Sequence, residues 1–305
     1  MAHRSGFIGI IGRPNVGKST ILNYYLGEKI AIVSSKPQTT RRRILGVLTW
    51  PDAQLLFLDS PGLHQPEHAL GRSMLESAKA VLEEADVLVV VIDGRAGVTQ
   101  EDQRVFDRVK RTLQSPNPDG RAKTALLAIN KVDIANKPKL LPTLKACAEQ
   151  QIFADCIPVS AKKGDQMDVL LRQIIAQLPE GPTWYEPDQR TDVPLTERAG
   201  ELIREQILSA THEEVPHAVA VMVDQLEETP TLIKIMATIF VEREGQKAIL
   251  IGKQGSMMKR IGQAARQELE RLVGRKVHVE LWVKVADRWR DDERILRQLG
   301  LLTTD

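Results

Sequence analysis

Cysteine is scarce in this chain, with only Cys147 and Cys156 among 305 residues. With no His clustered beside them, the pair excludes a disulfide framework and a thiolate zinc site, and it fits a reducing compartment. Long apolar runs are missing as well. The longest, Val87 to Ile92, has the length of a buried strand and falls far short of the roughly 20 residues a membrane-spanning helix needs. Met1 to Ile11 carry no extended apolar stretch before Gly12 and Pro14, so no secretory leader is expected. A cytoplasmic protein is the expectation, with peripheral membrane contact left open. Charge of one sign is lacking too. Lys and Arg number 42 against 40 Asp and Glu, a net of +2, so any site for a polyanion must be local.

What is present fits two globular domains, at 42% hydrophobic and 27% charged residues. Strand-like apolar runs recur at Phe7 to Ile11, Ile44 to Leu48, Leu55 to Leu58, Val87 to Ile92, Ala125 to Ile129 and Ile157 to Val159. Helix-period segments lie between most of them. Leu70, Met74, Leu75, Ala78, Val81 and Leu82 share one helical face. The alternation predicts an α/β fold, a mostly parallel sheet covered by helices, with ligands outside the carboxyl ends of the strands.

Candidate motifs sit at those ends. The first run leads into Gly12-Arg13-Pro14-Asn15-Val16-Gly17-Lys18-Ser19, then a helical segment from Thr20 to Leu26. The glycines let backbone N–H groups cradle phosphates, Lys18 neutralises their charge, and the Ser19 hydroxyl is placed to ligate Mg²⁺. Asp59-Ser60-Pro61-Gly62 follows the third run; its carboxylate can hold the metal, and the Gly62 N–H can meet a γ-phosphate. Asn130-Lys131-Val132-Asp133 follows the fifth. Asp133 can accept from both the N1–H and the exocyclic amino group of guanine, a donor pair adenine lacks. Ser160-Ala161-Lys162 can complete the base pocket with a backbone N–H. The polar segment Ser34 to Arg43 is read as a switch loop whose Thr40 completes the Mg²⁺ shell.

Pro179, Gly181, Pro182, Pro187 and Pro194 mark a linker over 179–195, separating domains at 1–178 and 196–305. Beyond it come a helix from Thr196, read as its N-cap, to Leu208, and strands at Ala218 to Gln225 and Leu232 to Val241. Next stands Gly252-Lys253-Gln254-Gly255, then a helix Ser256 to Val273 and a strand Val277 to Val285. A bare G-x-x-G occurs by accident in a chain this long. Here basic residues gather about it, among them Lys247, Lys253, Lys259 and Arg260. By period alone Ala248 to Ile251 reads as a strand. Trp282 and Trp289 are read as packing residues rather than stacking platforms.

The run Gly12 to Ser19, Gln38 to Arg41, Asp59 to Gly62, Asn130 to Asp133, Ser160 to Lys162, and Asp291-Asp292-Glu293-Arg294 near the end together resemble the Era-type ribosome-assembly GTPases. That resemblance implies a P-loop GTPase domain followed by a smaller α+β KH domain of type II, in which Ala248 to Ile251 is helical and Gly252 to Gly255 with Gln254 meets single-stranded RNA. It implies a monomer using GTP and Mg²⁺, with 16S rRNA near its 3′ end and the small ribosomal subunit as partners, and some association with the inner membrane surface. Leu63 stands where Ras-like enzymes carry a water-orienting Gln. The resemblance therefore implies slow hydrolysis without that Gln, with Asn15 holding a K⁺ that makes turnover faster than in Na⁺. Two rivals remain at this stage: a GTPase of RNA modification, and an RNA-binding module that keeps nucleotide as a structural ligand.

Overall fold

Alternating apolar runs become alternating strands and helices in the computed structural model, which describes residues 3–302 except 35, 37, 38, 63–67, 118 and 119. Ser35, Pro37 and Gln38 of the expected switch loop, and Leu63, thus lie outside the described residues. Through the first half run β1 (Arg4–Ile11), α1 (Lys18–Leu26), β2 (Ile44–Trp50), β3 (Ala53–Asp59), α2 (Ala69–Glu84) and β4 (Val87–Asp93). Then come α3 (Gln100–Leu113), β5 (Thr124–Asn130), α4 (Lys137–Ala148), β6 (Asp155–Pro158) and α5 (Met167–Gln177). The six strands form one sheet in the order β2-β3-β1-β4-β5-β6, antiparallel only between β2 and β3. Every residue of β3 and β4 is buried, as a strand covered on both faces requires. Register then levels the functional ends: Ile10 pairs with Asp59 and Asp93 with Asn130.

The second half builds α6 (Leu195–Ala210), α7 (Val215–Ala218), β7 (Ala220–Glu228), β8 (Leu232–Val241), α8 (Glu244–Ile251), α9 (Ser256–Val273), β9 (Lys276–Val285) and α10 (Glu293–Gln298). Its sheet runs β7-β8-β9, with β7 antiparallel and β9 parallel to β8. Ala199, Leu202, Ile203 and Ile207 of α6 and Ile261, Ala265 and Leu269 of α9 close over Ile233, Ile235, Ala237 and Ile239 of β8. Truncating one of the large residues in that layer, such as Leu269, costs about 2–5 kcal/mol by cavity formation.

Three readings change. Thr196 lies inside α6, whose N-cap is Pro194, so it caps nothing. Ala248 to Ile251 is the last turn of a helix and not a strand. Trp289 is fully buried, its Nε1 donating to the Ala218 carbonyl at 2.7 Å, but Trp282 is 49% exposed and is no core residue.

The chain divides into two compact units: Met1–Ala31, Thr39–Gln65 and Met74–Asp192 form one, and Ile32–Gln38, Pro66–Ser73 and Val193–Asp305 the other. The proline-rich stretch after α5 is extended but fastened to the first unit. Gln54 of β3 accepts from the amides of Trp184 and Tyr185 and donates to the Tyr185 carbonyl, and Val47 donates to Arg190 O at 2.8 Å. Among the described residues no helix is long and apolar enough to cross a membrane.

Candidate nucleotide and nucleic-acid sites

The loop from β1 to α1 is shaped by backbone that few side chains tolerate. Asn15 and Gly17 are left-handed, at φ 63° and 104°. A Cβ on Gly17 would stand 2.2 Å from Asn130 Nδ2, and one on Gly12 would stand 2.4 Å from the Val91 carbonyl. Because Gly17 is the N-cap of α1 and offers no side-chain cap, the first amides of that helix are left for an anion. Lys18 is buried behind the loop, its Nζ donating to the carbonyls of Gly12 at 3.0 Å and Arg13 at 3.1 Å. Burial pulls its pKa down to about 8, opposed by the nearby Asp59 carboxylate. A polyphosphate would supply the countercharge this ammonium lacks.

Asp59 ends β3, fully buried, and burial raises its pKa against the pull of Lys18 and of the Ser19 and Thr40 hydroxyls. Its Oδ2 accepts from Ser19 Oγ at 2.6 Å and Thr40 Oγ1 at 3.4 Å, and the two hydroxyls are 3.1 Å apart. Its Oδ1 is buried with no hydrogen-bond partner among the described residues. Two hydroxyls and one under-used carboxylate oxygen suit a small hard cation that takes its remaining ligands from phosphate and water. Gly62 is pressed close to Pro14, where a Cβ would meet the ring at 2.9 Å.

On the base side, Asn130 is a staple. Its Nδ2 donates to Val16 O at 2.9 Å and its Oδ1 accepts from the Ala161 amide at 3.1 Å, tying the phosphate loop to the loop after β6. Asp133 is exposed in a short turn, and Ser160 Oγ, on a buried residue, donates to its Oδ1 at 2.7 Å. Lys162 is exposed beside them and Thr20 half-buried on α1. Lys131, at φ 66°, reaches back to the Asn15 carbonyl and pairs with Asp93 at 2.9 Å. Sequence reasoning missed Asp93, at the end of β4. Burial would raise its carboxyl, but hydrogen bonds from Arg95 and Lys131 outweigh that and hold it well below the usual range. A carboxylate directly after the run Val87 to Ile92 was the available signal.

In the second unit α8 and α9 are joined through Gly252, Lys253, Gln254 and Gly255. Gly252, Gln254 and Gly255 all have positive φ, at 69°, 51° and 77°. A Cβ on Gly252 would stand 2.8 Å from Met257 Cβ, whereas Gly255 faces open space. Lys253, Gln254 and Lys259 are exposed and Lys247 half-buried, while Arg260 is turned toward α6 and donates to the Ala210 carbonyl at 3.0 Å. A groove of about 460 Å³ follows, between α9 and β9, lined by Met258, Lys259, Gly262, Gln263, Arg266, His278, Val279 and Leu281. Among the basic residues singled out in the sequence for RNA, the groove includes Lys259 only. β9 is an edge strand, so one row of its backbone donors and acceptors faces this groove's side of the sheet without a strand partner.

Residues 7–131 match the family of 50S ribosome-binding GTPases, and residues 214–290 match the KH domain family. The chain is 45% identical to GTPase Era of Heliobacterium modesticaldum over 298 residues, covering 97% of both chains. Its fold is similar to that of Era in complex with MgGDPNP and nucleotides 1506–1542 of 16S ribosomal RNA, at TM-score 0.92 and 39% identity, covering 99% of this chain and all of the other. A variant of Aquifex aeolicus Era bound to GDP and AlF₄⁻ is equally similar, at TM-score 0.92 and 39% identity, covering 98% of this chain and 100% of that one.

Proposed function

The chain belongs to the Era family of GTPases and hydrolyses GTP, and we propose that it uses the nucleotide to time its hold on single-stranded RNA at the 3′ end of 16S rRNA while the small ribosomal subunit is assembled. The observation that carries this reading is the meeting of Ser19, Thr40 and Asp59 from three separate segments at one point beside the phosphate loop. Thr40 belongs to that cluster only while its loop is drawn in, so the cluster is a sensor of whatever fills it. Mg²⁺, when bound, spreads the charge that builds on the transferred phosphate.

The residue roles follow from where the side chains stand. Ser19 Oγ, Thr40 Oγ1 and the unpartnered Asp59 Oδ1 would hold the metal. Lys18 is the buried cation for the phosphates, within the cradle Gly12 to Thr20, and the Gly62 amide is assigned to the γ-phosphate. Asp133, oriented by Ser160, is assigned to the two guanine donors, with Asn130 and Lys131 bracing the pocket and Ala161 and Lys162 lining its far side. Asn15 carries the K⁺ assignment, its left-handed backbone turning the loop outward at that residue. Lys247, Lys253, Gln254, Lys259 and the two glycines of the loop are assigned to RNA, and Arg260 joins them only by giving up its bond to Ala210. The place of action is then the cytoplasm, and sedimentation with membrane vesicles decides the peripheral association.

Phosphate release from GTP is the test, measured with and without an RNA of the sequence of nucleotides 1506–1542 of 16S rRNA. Slow basal turnover altered by that RNA is expected. An unchanged rate at saturating RNA would sever nucleotide from RNA and leave the timing role without support.

A further inference from the structure

The acidic run near the C-terminus has no part in either site, yet each residue around it is committed. Trp289 is buried and fixed to Ala218, Arg290 pairs with both oxygens of Glu242 at 2.9 and 2.6 Å, and Asp292 caps α10 by accepting from the amides of Arg294 and Ile295. Asp291 does something else. Its Oδ1 accepts from the amide of Ala69, the first residue of α2, at 2.9 Å, and its Oδ2 lies 3.7 Å from His68 Nδ1. One turn further along α2, Ser73 Oγ donates to the Leu301 carbonyl. Residues 66–73 thus belong to the second unit, while the rest of α2, from Met74, belongs to the first.

The other nucleotide-facing segment is divided in the same way. Thr39 and Thr40 belong to the first unit, but Ile32 is buried in the core of the second among Ala199, Leu202 and Ile203, and the Val33 amide donates to Glu205 Oε1 of α6 at 2.9 Å. Asp59 to Gly62, which would meet metal and γ-phosphate, stands seven residues before Ala69. Thr40 stands seven residues after Val33. Each phosphate-contacting segment therefore has its far end anchored on the RNA-binding unit by one buried or well-braced carboxylate.

We infer that Asp291, with Glu205 as its counterpart, is a positioning residue that carries the nucleotide state to the RNA-binding unit by holding the start of α2. The inference rests on the timing role proposed above and names the joint through which it runs. A ligand at Gly62 or Thr40 shifts the second unit only insofar as these anchors resist, because a conformational equilibrium moves by no more than the differential interaction of the two states.

The test compares RNA affinity in the presence of GDPNP with that in GDP, both with Mg²⁺, using the RNA of nucleotides 1506–1542 on the full chain. The unaltered protein is expected to give a ratio differing from unity by about 5-fold or more, the usual span of coupling between sites. Asp291→Ala should bring that ratio to within about 2-fold of unity, whereas Asp291→Asn, which keeps an acceptor for the Ala69 amide, should retain it. A thermal unfolding trace establishes that each variant is folded. If Asp291→Ala does not fold, Ser73→Ala, which removes the neighbouring bond to Leu301, is read by the same ratio. A ratio unchanged in a folded Asp291→Ala or, failing that, in Ser73→Ala overturns the joint and leaves the timing role intact. Loss of the ratio in Asp291→Asn to the same degree as in Asp291→Ala overturns the hydrogen-bond mechanism. A ratio of unity in the unaltered protein overturns the timing role and this inference with it.

Discussion

Base selectivity in the first unit comes down to one exposed carboxylate held by one buried hydroxyl. Asp133 stands in a short turn, and Ser160 Oγ donates to its Oδ1 at 2.7 Å, leaving the other oxygen and the remaining lone pairs of the first for a base. Its sequence signature was legible because a carboxylate two residues after an Asn-Lys pair at a strand end has a chemical reason to be there. The roles of Asn130 and Lys131 were less legible. Their work is bracing, through partners 114 and 38 residues away in Val16 and Asp93, and no local pattern announces a contact at that separation. Replacing Asp133 by Asn puts an amide donor where guanine offers N–H donors. Losing charge-assisted hydrogen bonds worth about 1.5–3 kcal/mol each should weaken GTP by roughly 100-fold. Xanthosine triphosphate, with an oxygen in place of the amino group, should bind the Asp133→Asn variant better than GTP does. Competition binding with the two nucleotides checks this, and an unchanged order of preference would remove Asp133 from base reading.

Elements were legible to the degree that burial imposed a period. β3 and β4 are covered on both faces, so their runs of apolar residues could be nothing else at that length. α8 is the contrary case. Four apolar residues, Ala248 to Ile251, fit a strand and a helix equally, and what decides is upstream: Gln246 Oε1 accepts from the amides of Glu242 and Arg243, starting a helix at Glu244 that carries the run along with it. Trp282 was misplaced for a different reason. Residue type suggested packing, but Val277, Val279 and Leu281 take the inner parity of β9 and leave His278, Glu280, Trp282 and Lys284 on the outer one. The joint between α8 and α9 depends on backbone that glycine alone adopts cheaply, at φ 69° and 77°. Gly255→Asp adds a negative charge and a strained residue in open space, without the collision with Met257 that Gly252→Asp brings. RNA affinity of Gly255→Asp should fall by about 10-fold or more, the cost of roughly 1.4 kcal/mol in strain and repulsion, with nucleotide affinity unchanged. Filter binding of labelled RNA and of labelled nucleotide reads both, and RNA affinity unaffected by the aspartate would take the loop out of the RNA site.

At the scale of the whole molecule, composition alone marked the proline-rich stretch as extended chain but could not say where it is fastened. Its anchor, Gln54, lies 130 residues from Trp184, and a period or a motif carries no information over that distance. The same limit hid the division of both switch segments between the two units, since Ile32 and Ala69 look like ordinary members of the first half. That division bears on how the chain answers two ligands at once. If nucleotide and RNA act on one equilibrium, thermodynamics requires the coupling to be mutual. The factor by which GDPNP in place of GDP changes RNA affinity must equal the factor by which RNA changes the relative affinities of GDPNP and GDP. Titrating RNA into each nucleotide complex, and each nucleotide into the RNA complex, measures the two arms independently. Equal factors of about 5- to 150-fold are expected for a coupling free energy of about 1–3 kcal/mol. Unequal arms would mean that one ligand also binds at a second place, most directly nucleotide phosphate on the basic loop Lys253 to Lys259, and raising the salt concentration should then restore equality by weakening that contact first.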